Sequence, residues 1–221
     1  QRNIANGNIT YMQNTERNYI KEQLKFDWLS TDGYSNIYAG EDIIQENNVE
    51  NYRLHNLFHL TSRTGSDKGV EFLSKINLEK KPHSLSVAPN LFPDVIMSEQ
   101  MFQSAERRNI STENRLDFLS AIVWSNLQIH PTIFFDYSHN GLTSYLDTYK
   151  NDLRLTSINT GIGIIANYRI KRFYADLYVT GNYRYFNLNN KDTYIDTDKH
   201  RFVVEPHLTL KYDIDGTNEL R

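Results

Sequence analysis

RFYADLYVTGNYRYF, residues 172–186, sorts its side chains by parity. Odd positions read Phe173, Ala175, Leu177, Val179, Gly181, Tyr183 and Tyr185. Even positions read Tyr174, Asp176, Tyr178, Thr180, Asn182, Arg184 and Phe186. Successive side chains of a strand point to opposite faces, so this is a period-2 strand with one apolar and one mostly polar side. From Phe173 to Tyr183 the chain spans about 33 Å at about 3.3 Å per residue. Tilted by about 40°, it rises about 25 Å, the height of the apolar band of an outer-membrane barrel between its aromatic girdles. Strands of small soluble sandwiches usually run only about 5–6 residues.

The signature recurs nearby. Phe202, Val204, Pro206, Leu208, Leu210 and Tyr212 form an apolar row with an aromatic at each end. Leu127, Ile129, Pro131, Ile133, Phe135 and Tyr137 form another, and Ile162, Ile164, Ala166, Tyr168 and Ile170 a fourth. Pro131 and Pro206 argue for bulges or local pairing, because proline donates no ladder bond. In the amino-terminal half Tyr52, Leu54, Phe58 and Leu60 alternate with Arg53, His55 and His59. Val70, Phe72, Ile76 and Leu78 alternate with Glu71, Lys75 and Glu79, and Ile20, Leu24, Phe26 and Trp28 form one more face.

Composition is compatible with these rows. Mean hydropathy of −0.61 and 23% charged residues look polar, but a barrel with a wet lumen averages out that way. No run of about 18 apolar residues exists, so no transmembrane helix is expected. The 15 Tyr against 2 Trp favour surfaces that are apolar at one end and wet at the other. A net charge of −3 argues against nucleic acid, which needs a basic face. Without cysteine there is neither a disulfide nor a Cys-ligated zinc site.

The connections alternate in length. Ser125-Asn126, Lys171-Arg172 and Asp213–Gly216 read as tight turns, and SHNGLTSYLDTYKND (138–152) and NLNNKDTYIDTDK (187–199) as long polar loops. Strands are expected at 114–124, 127–138, 153–170, 173–186 and 200–213. Lys80-Lys81-Pro82 reads as a turn, SRTGSDK as a loop, and MSEQMFQSAERR (97–108) as a short helical segment in a long loop. The ends, QRNIANGN and TNELR, are expected to be cuts in a longer polypeptide, with strands missing at least on the carboxy-terminal side and Asn218 to Arg221 beginning another.

No catalytic set emerges, so the chain reads as a non-enzyme without a metal or cofactor. His55 and His59 share a strand face but stand about 13 Å apart, too far for one ion. DTYIDTD offers Asp192, Asp196 and Asp198 without the closing Glu of a calcium loop. Asp136 and Asp176 are strand carboxylates with no mark of a glycosidase pair. Gly161 and Gly163 in NTGIGI lack the third glycine and the helix of a dinucleotide loop and read as strand glycines. The remaining candidate is the polar row Tyr174, Asp176, Tyr178, Asn182, Arg184, whose rings and hydrogen-bonding groups suit sugars or peptides; the bland reading is a water-facing wall.

Three phrases, NYRLHNLFHLTSRTGSDKGVEF, SLSVAPNLFPDV and TENRLDFLSAIVWSNLQIHPTIFFDYSHN, resemble the barrel portion of Bacteroides-type outer-membrane proteins related to TonB-dependent receptors with a carboxypeptidase-regulatory-like domain. The resemblance spans roughly residues 50–220. It implies a Gram-negative outer membrane, nutrient uptake, a periplasmic energy-coupling protein and a surface lipoprotein. No plug domain, TonB box or terminal aromatic is present, and such barrels have about 22 strands. The expectation is therefore all-β: an antiparallel up-and-down transmembrane-type barrel or part of one. It would have about ten strands, long loops on one side and short turns on the other, with 1–221 as one barrel domain or fragment. The alternative is a soluble β-rich ligand-binding module, for example for glycans.

Overall fold

The computed structural model describes residues 1–38, 40, 42–65, 68–94, 96–213 and the backbone of Glu219 and Leu220. They form one antiparallel meander. Its strands are β1 (Arg2–Asn14), β2 (Asn18–Tyr38), β3 (Asp42–Arg63), β4 (Gly69–Ala88), β5 (Met101–Leu119), β6 (Ile122–Trp124), β7 (Leu127–Leu146), β8 (Tyr149–Ile170), β9 (Phe173–Asn190), β10 (Ile195–Asp213) and β11 (Glu219–Leu220). Ten of them pair in chain order, and the short β6 lies off this path against the start of β7. Among the described residues the sheet does not close on itself.

Register fixes the geometry. Paired residues lead from Phe202 on β10 through Tyr183, Thr160, Phe135, Asn114 and Ser74 to Phe58 on β3. The apolar row of β10 opens at Phe202, but that of β3 opens at Tyr52, six residues before Phe58. The band therefore shifts by one residue per strand over these six steps. A shift of about 3.3 Å per inter-strand spacing of about 4.8 Å is a slope of about 35°, within the tilt typical of outer-membrane barrels. The rows thus form one level band only on a tilted sheet.

Among the described residues no second layer covers that band. Among the described residues only Val87 and Ile96 are buried and apolar. Leu177, Leu208 and Leu210 are 40%, 59% and 48% exposed. A sandwich of this size would bury such leucines in a dry core, and here they stand outside one. The apolar face also carries a polar seam on β2–β5. Asn56 donates to the Glu22 carboxylate, Ser74 Oγ donates to Asn114 Oδ1 at 2.8 Å, and Asn114 Nδ2 donates to Thr112 Oγ1 at 2.9 Å. These groups pair with one another, which lowers the cost of an apolar setting.

Several expected loops are strand instead. β7 and β8 run through 138–152 and leave only Asp147-Thr148 as the turn. β9 continues to Asn190 and β10 resumes at Ile195, so 187–199 shrinks to a four-residue connection. MSEQMFQSAERR is no helix: β5 starts at Met101. The polar stretches are paired hairpin extensions, and eight strands reach 18–22 residues, against the roughly 9–11 needed to cross a bilayer. Lys80-Lys81-Pro82 lies within β4, where the ladder to β3 lapses between Val49↔His83 and Tyr52↔Lys80. That lapse accommodates the missing proline N–H.

The expected strand 114–124 breaks at Ser120, which has φ 45° and whose N–H donates to His130 Nδ1 at 2.8 Å. Asp147 and Lys171 also take left-handed φ, 51° and 50°, each as the first residue of a two-residue turn. Residues 214–218 and 221, including most of the expected last turn, lie outside the described residues; Glu219 and Leu220 pair with Asp213 and Tyr212.

The glycine pair of β8 is explained by close approach. A Cβ on Gly161 would meet the Gly181 carbonyl oxygen and lie 2.8 Å from Phe134 Cζ. One on Gly163 would lie 2.5 Å from Thr132 Cγ2. Phe134 thus covers bare backbone of the neighbouring strand. Gly161→Ala is expected to destabilise the protein by about 1–3 kcal/mol through overpacking. Gly141→Ala, where nothing lies within 4 Å of the added carbon, should be close to neutral by comparison. Urea unfolding of the two variants checks the contrast.

Candidate functional site

The polar face of β4, β5, β7, β8, β9 and β10 bends around a cavity of about 530 Å³. Alternation brings Lys75, Glu113, Asp136, Asn159 and Arg184 to consecutive register positions across five strands. One rung along, Arg115, Phe134, Gly161 and Asn182 follow in the same way. Of the candidate row, Tyr178, Asn182 and Arg184 line this cavity, and Tyr174 and Asp176 do not. Asp176 accepts from Asn167 Nδ2 at 2.8 Å. The Tyr174 ring lies beneath the Arg169 guanidinium at 4.7 Å.

Charge on the wall is paired. Arg184 Nη2 lies 2.8 Å from Glu205 Oε1, Lys75 Nζ 3.2 Å from Glu113 Oε2 and Arg115 Nε 2.8 Å from Asp117 Oδ2. The carboxylates orient the amides beside them. Asn182 Nδ2 donates to Glu205 Oε2 at 2.7 Å, and Asn159 Nδ2 donates to Asp136 Oδ2 at 3.0 Å. Only the amide nitrogen donates, so each carbonyl oxygen is turned away from the acid. Both oxygens, Asn159 Oδ1 and Asn182 Oδ1, are buried without a partner among the described residues, as is Thr132 Oγ1. All three residues line the cavity. An unpaired buried acceptor costs about 1–3 kcal/mol, and these three oxygens lie behind the cavity surface, out of contact with solvent.

The other singled-out groups are scattered. His55 contacts Asn77, and His59 Nε2 lies 2.6 Å from Glu71 Oε1 with Tyr19 packed edge-on against its ring. Asp196 accepts from Asn187 across the β9–β10 ladder at 3.0 Å. Asp136 shares a register line with Arg184, eight residues along β9 from Asp176, or about 26 Å. That exceeds the roughly 9.5 Å limit for a glycosidase pair. Among the described residues no cluster of three His, Cys, Asp or Glu side chains is placed to hold a metal. Lys75, Glu113, Arg115, Asp136 and Glu205 belong to the site through cross-strand register, which no local pattern records.

Asn182 is 3% exposed and bonded to a carboxylate, whereas the Arg184 side chain is 36% exposed. Asn182→Ala is therefore expected to cost about 1–3 kcal/mol and Arg184→Ala less than about 1 kcal/mol. Equilibrium unfolding that reversed this order would overturn the assignment.

No protein-family model matches the chain, and a search of curated proteins finds no match. Among solved structures it is similar to the alcaligin outer-membrane receptor FauA from Bordetella pertussis, with TM-score 0.54 and 12% identity over 97% of this chain. It is also similar to the ferric yersiniabactin uptake receptor FyuA from Yersinia pestis, with TM-score 0.51 and 8% identity over 95% of this chain. The match covers 33% and 34% of those chains, so the chain spans about a third of their length. At this identity the likeness is one of fold: ten antiparallel up-and-down strands arranged as in a receptor barrel.

Proposed function

We propose that this chain forms part of the wall of an outer-membrane receptor or transporter barrel that takes part in nutrient uptake. The observation that carries the reading is the single tilted sheet with an apolar band on one face and, among the described residues, no covering layer. Such a band is stable against lipid and unstable against water. The polar face then borders the lumen, and Tyr178, Asn182 and Arg184 contact the solute on its way through. Tyr174 and Asp176 extend the same row toward the short-turn end. On this reading residues 1–221 act as one barrel unit or a section of one, since about a third of the receptor length is covered and the sheet is open among the described residues.

By the sequence resemblance, the kin are TonB-dependent proteins of Bacteroides-type bacteria. The partners are the bilayer, a periplasmic energy-coupling protein and a surface lipoprotein. The soluble glycan-binding alternative calls for a dry core, and the exposed leucines speak against it. No catalytic role is proposed.

The cysteine-free sequence permits a clean test. Single cysteines replacing Leu177 and Tyr178 sit on opposite faces. In the intact protein in membranes, Leu177→Cys is expected to resist a water-soluble maleimide and react with a lipid-phase probe, and Tyr178→Cys the reverse. Equal labelling by the aqueous reagent would sink the membrane reading. Leu208→Arg should cost about 2–4 kcal/mol near the bilayer midplane, measured by unfolding in vesicles. Uptake is tested by growth of a deletion strain on single nutrient sources, complemented with wild type or with Asn182→Trp, which fills the cavity. Loss of growth on one source, restored by wild type only, is the expected result.

A further inference from the structure

The apolar face does not end at the band. Immediately beyond Leu78 and Ile110 the same face carries Lys80 and Arg108, which are register partners on β4 and β5. One rung further out it carries Glu50 and Glu106. Charge is thus layered along the strands: apolar, then basic, then acidic. Lys80 Nζ lies 3.1 Å from Glu106 Oε2, and the Arg108 guanidinium contacts the same carboxylate. Tyr52 Oη donates to Glu50 Oε2 at 2.5 Å.

A cavity of about 870 Å³ opens on this face, with Arg108 and Glu106 in its lining. Its far wall carries Arg154, which holds Asp152 through two bonds of 3.1 and 2.9 Å. The Arg154 guanidinium keeps the Asp152 carboxyl below its usual range, so this wall stays ionised. Between them lies Gly141, the register partner of both Arg108 and Arg154, with nothing within 4 Å of an added Cβ. The floor between the cations is open.

We propose that this face binds the phosphate-bearing headgroup of a bilayer lipid; the inference rests on the membrane reading above. The order of the layers carries it. In a bilayer the phosphates lie just outside the hydrocarbon, and cations at that level attract them. Guanidinium and ammonium groups are the phosphate-binding side chains, arginine through two parallel bonds. Acids placed one rung out hold the cations in position without standing between them and the hydrocarbon edge. The reverse order would repel the phosphate. Lys81 and Arg107, also register partners, carry the same charges on the opposite face and provide an internal control.

The test uses the intact protein in neutral detergent, titrated with phosphatidic acid, with diacylglycerol and with inorganic phosphate, and read by native mass spectrometry. Wild type and Lys81→Gln/Arg107→Gln are expected to retain phosphatidic acid, and Lys80→Gln/Arg108→Gln to lose about ten-fold or more in affinity. Diacylglycerol should not be retained, and inorganic phosphate should not displace the lipid. Gly141→Asp removes no ion pair and adds an acid to the open floor, so it should weaken retention as well. Equal retention by both double variants, with Gly141→Asp unaffected, overturns the proposal while leaving the membrane reading intact. Competition by inorganic phosphate overturns the assignment to a lipid. A wild-type protein that stays monomeric without detergent and retains no lipid overturns both readings.

Discussion

Each long strand from β2 to β9 has a paired neighbour on both sides in a single sheet, and among the described residues nothing is layered above or below it. That constraint makes register the controlling quantity. Side chains alternate with period 2, so once the ladders are set each residue belongs to one face along the whole length of its strand. The uncovered Leu177 and Leu208 on one face and the cross-strand run from Lys75 to Arg184 on the other are two results of the same ladder. A shift of one residue per strand levels the apolar rows and places polar groups from six strands around one cavity.

The central part of the carboxy-terminal half was legible in the sequence because its rows alternate between apolar and polar. Phe173 to Tyr183 and Phe202 to Tyr212 obey period 2, and the Lys171-Arg172 turn lies where the alternation resets. The same signal fails at 138–152 and 187–199. There both faces are polar, alternation vanishes, and a paired hairpin reads like a loop. MSEQMFQSAERR hides its strand for a related reason: from Met101 on, its polar residues fall on both faces of β5, so no row marks it as strand. Pro82 looked like a turn because local chemistry cannot show that the β3–β4 ladder lapses beside it.

The candidate site divides in the same way. Tyr178, Asn182 and Arg184 follow from one strand. Lys75 lies more than a hundred residues before Arg184, and four ladders connect them. An error of one residue in any of those ladders would put Lys75 on the wrong face. What the sequence does record is the close approach that sets one ladder, through Gly161 and Gly163. Their bare backbone admits Phe134 and Thr132 from β7, and the aromatic takes over part of the packing that a side chain on β8 would supply.

The paired extension formed by the ends of β7 and β8 also constrains how this region can change in length. Inserting a single residue on one arm of a ladder turns every side chain beyond it to the other face, unless a bulge absorbs the step. Gly141, Thr143 and Tyr145 would trade places with Asn140, Leu142 and Ser144. Adding one residue to each arm keeps the pairing but reverses the faces beyond it, and adding two to each arm keeps both and only lengthens the hairpin. Length variation between Ser138 and Asp152 in related chains should therefore come in even steps, whereas an unpaired loop would accept any number.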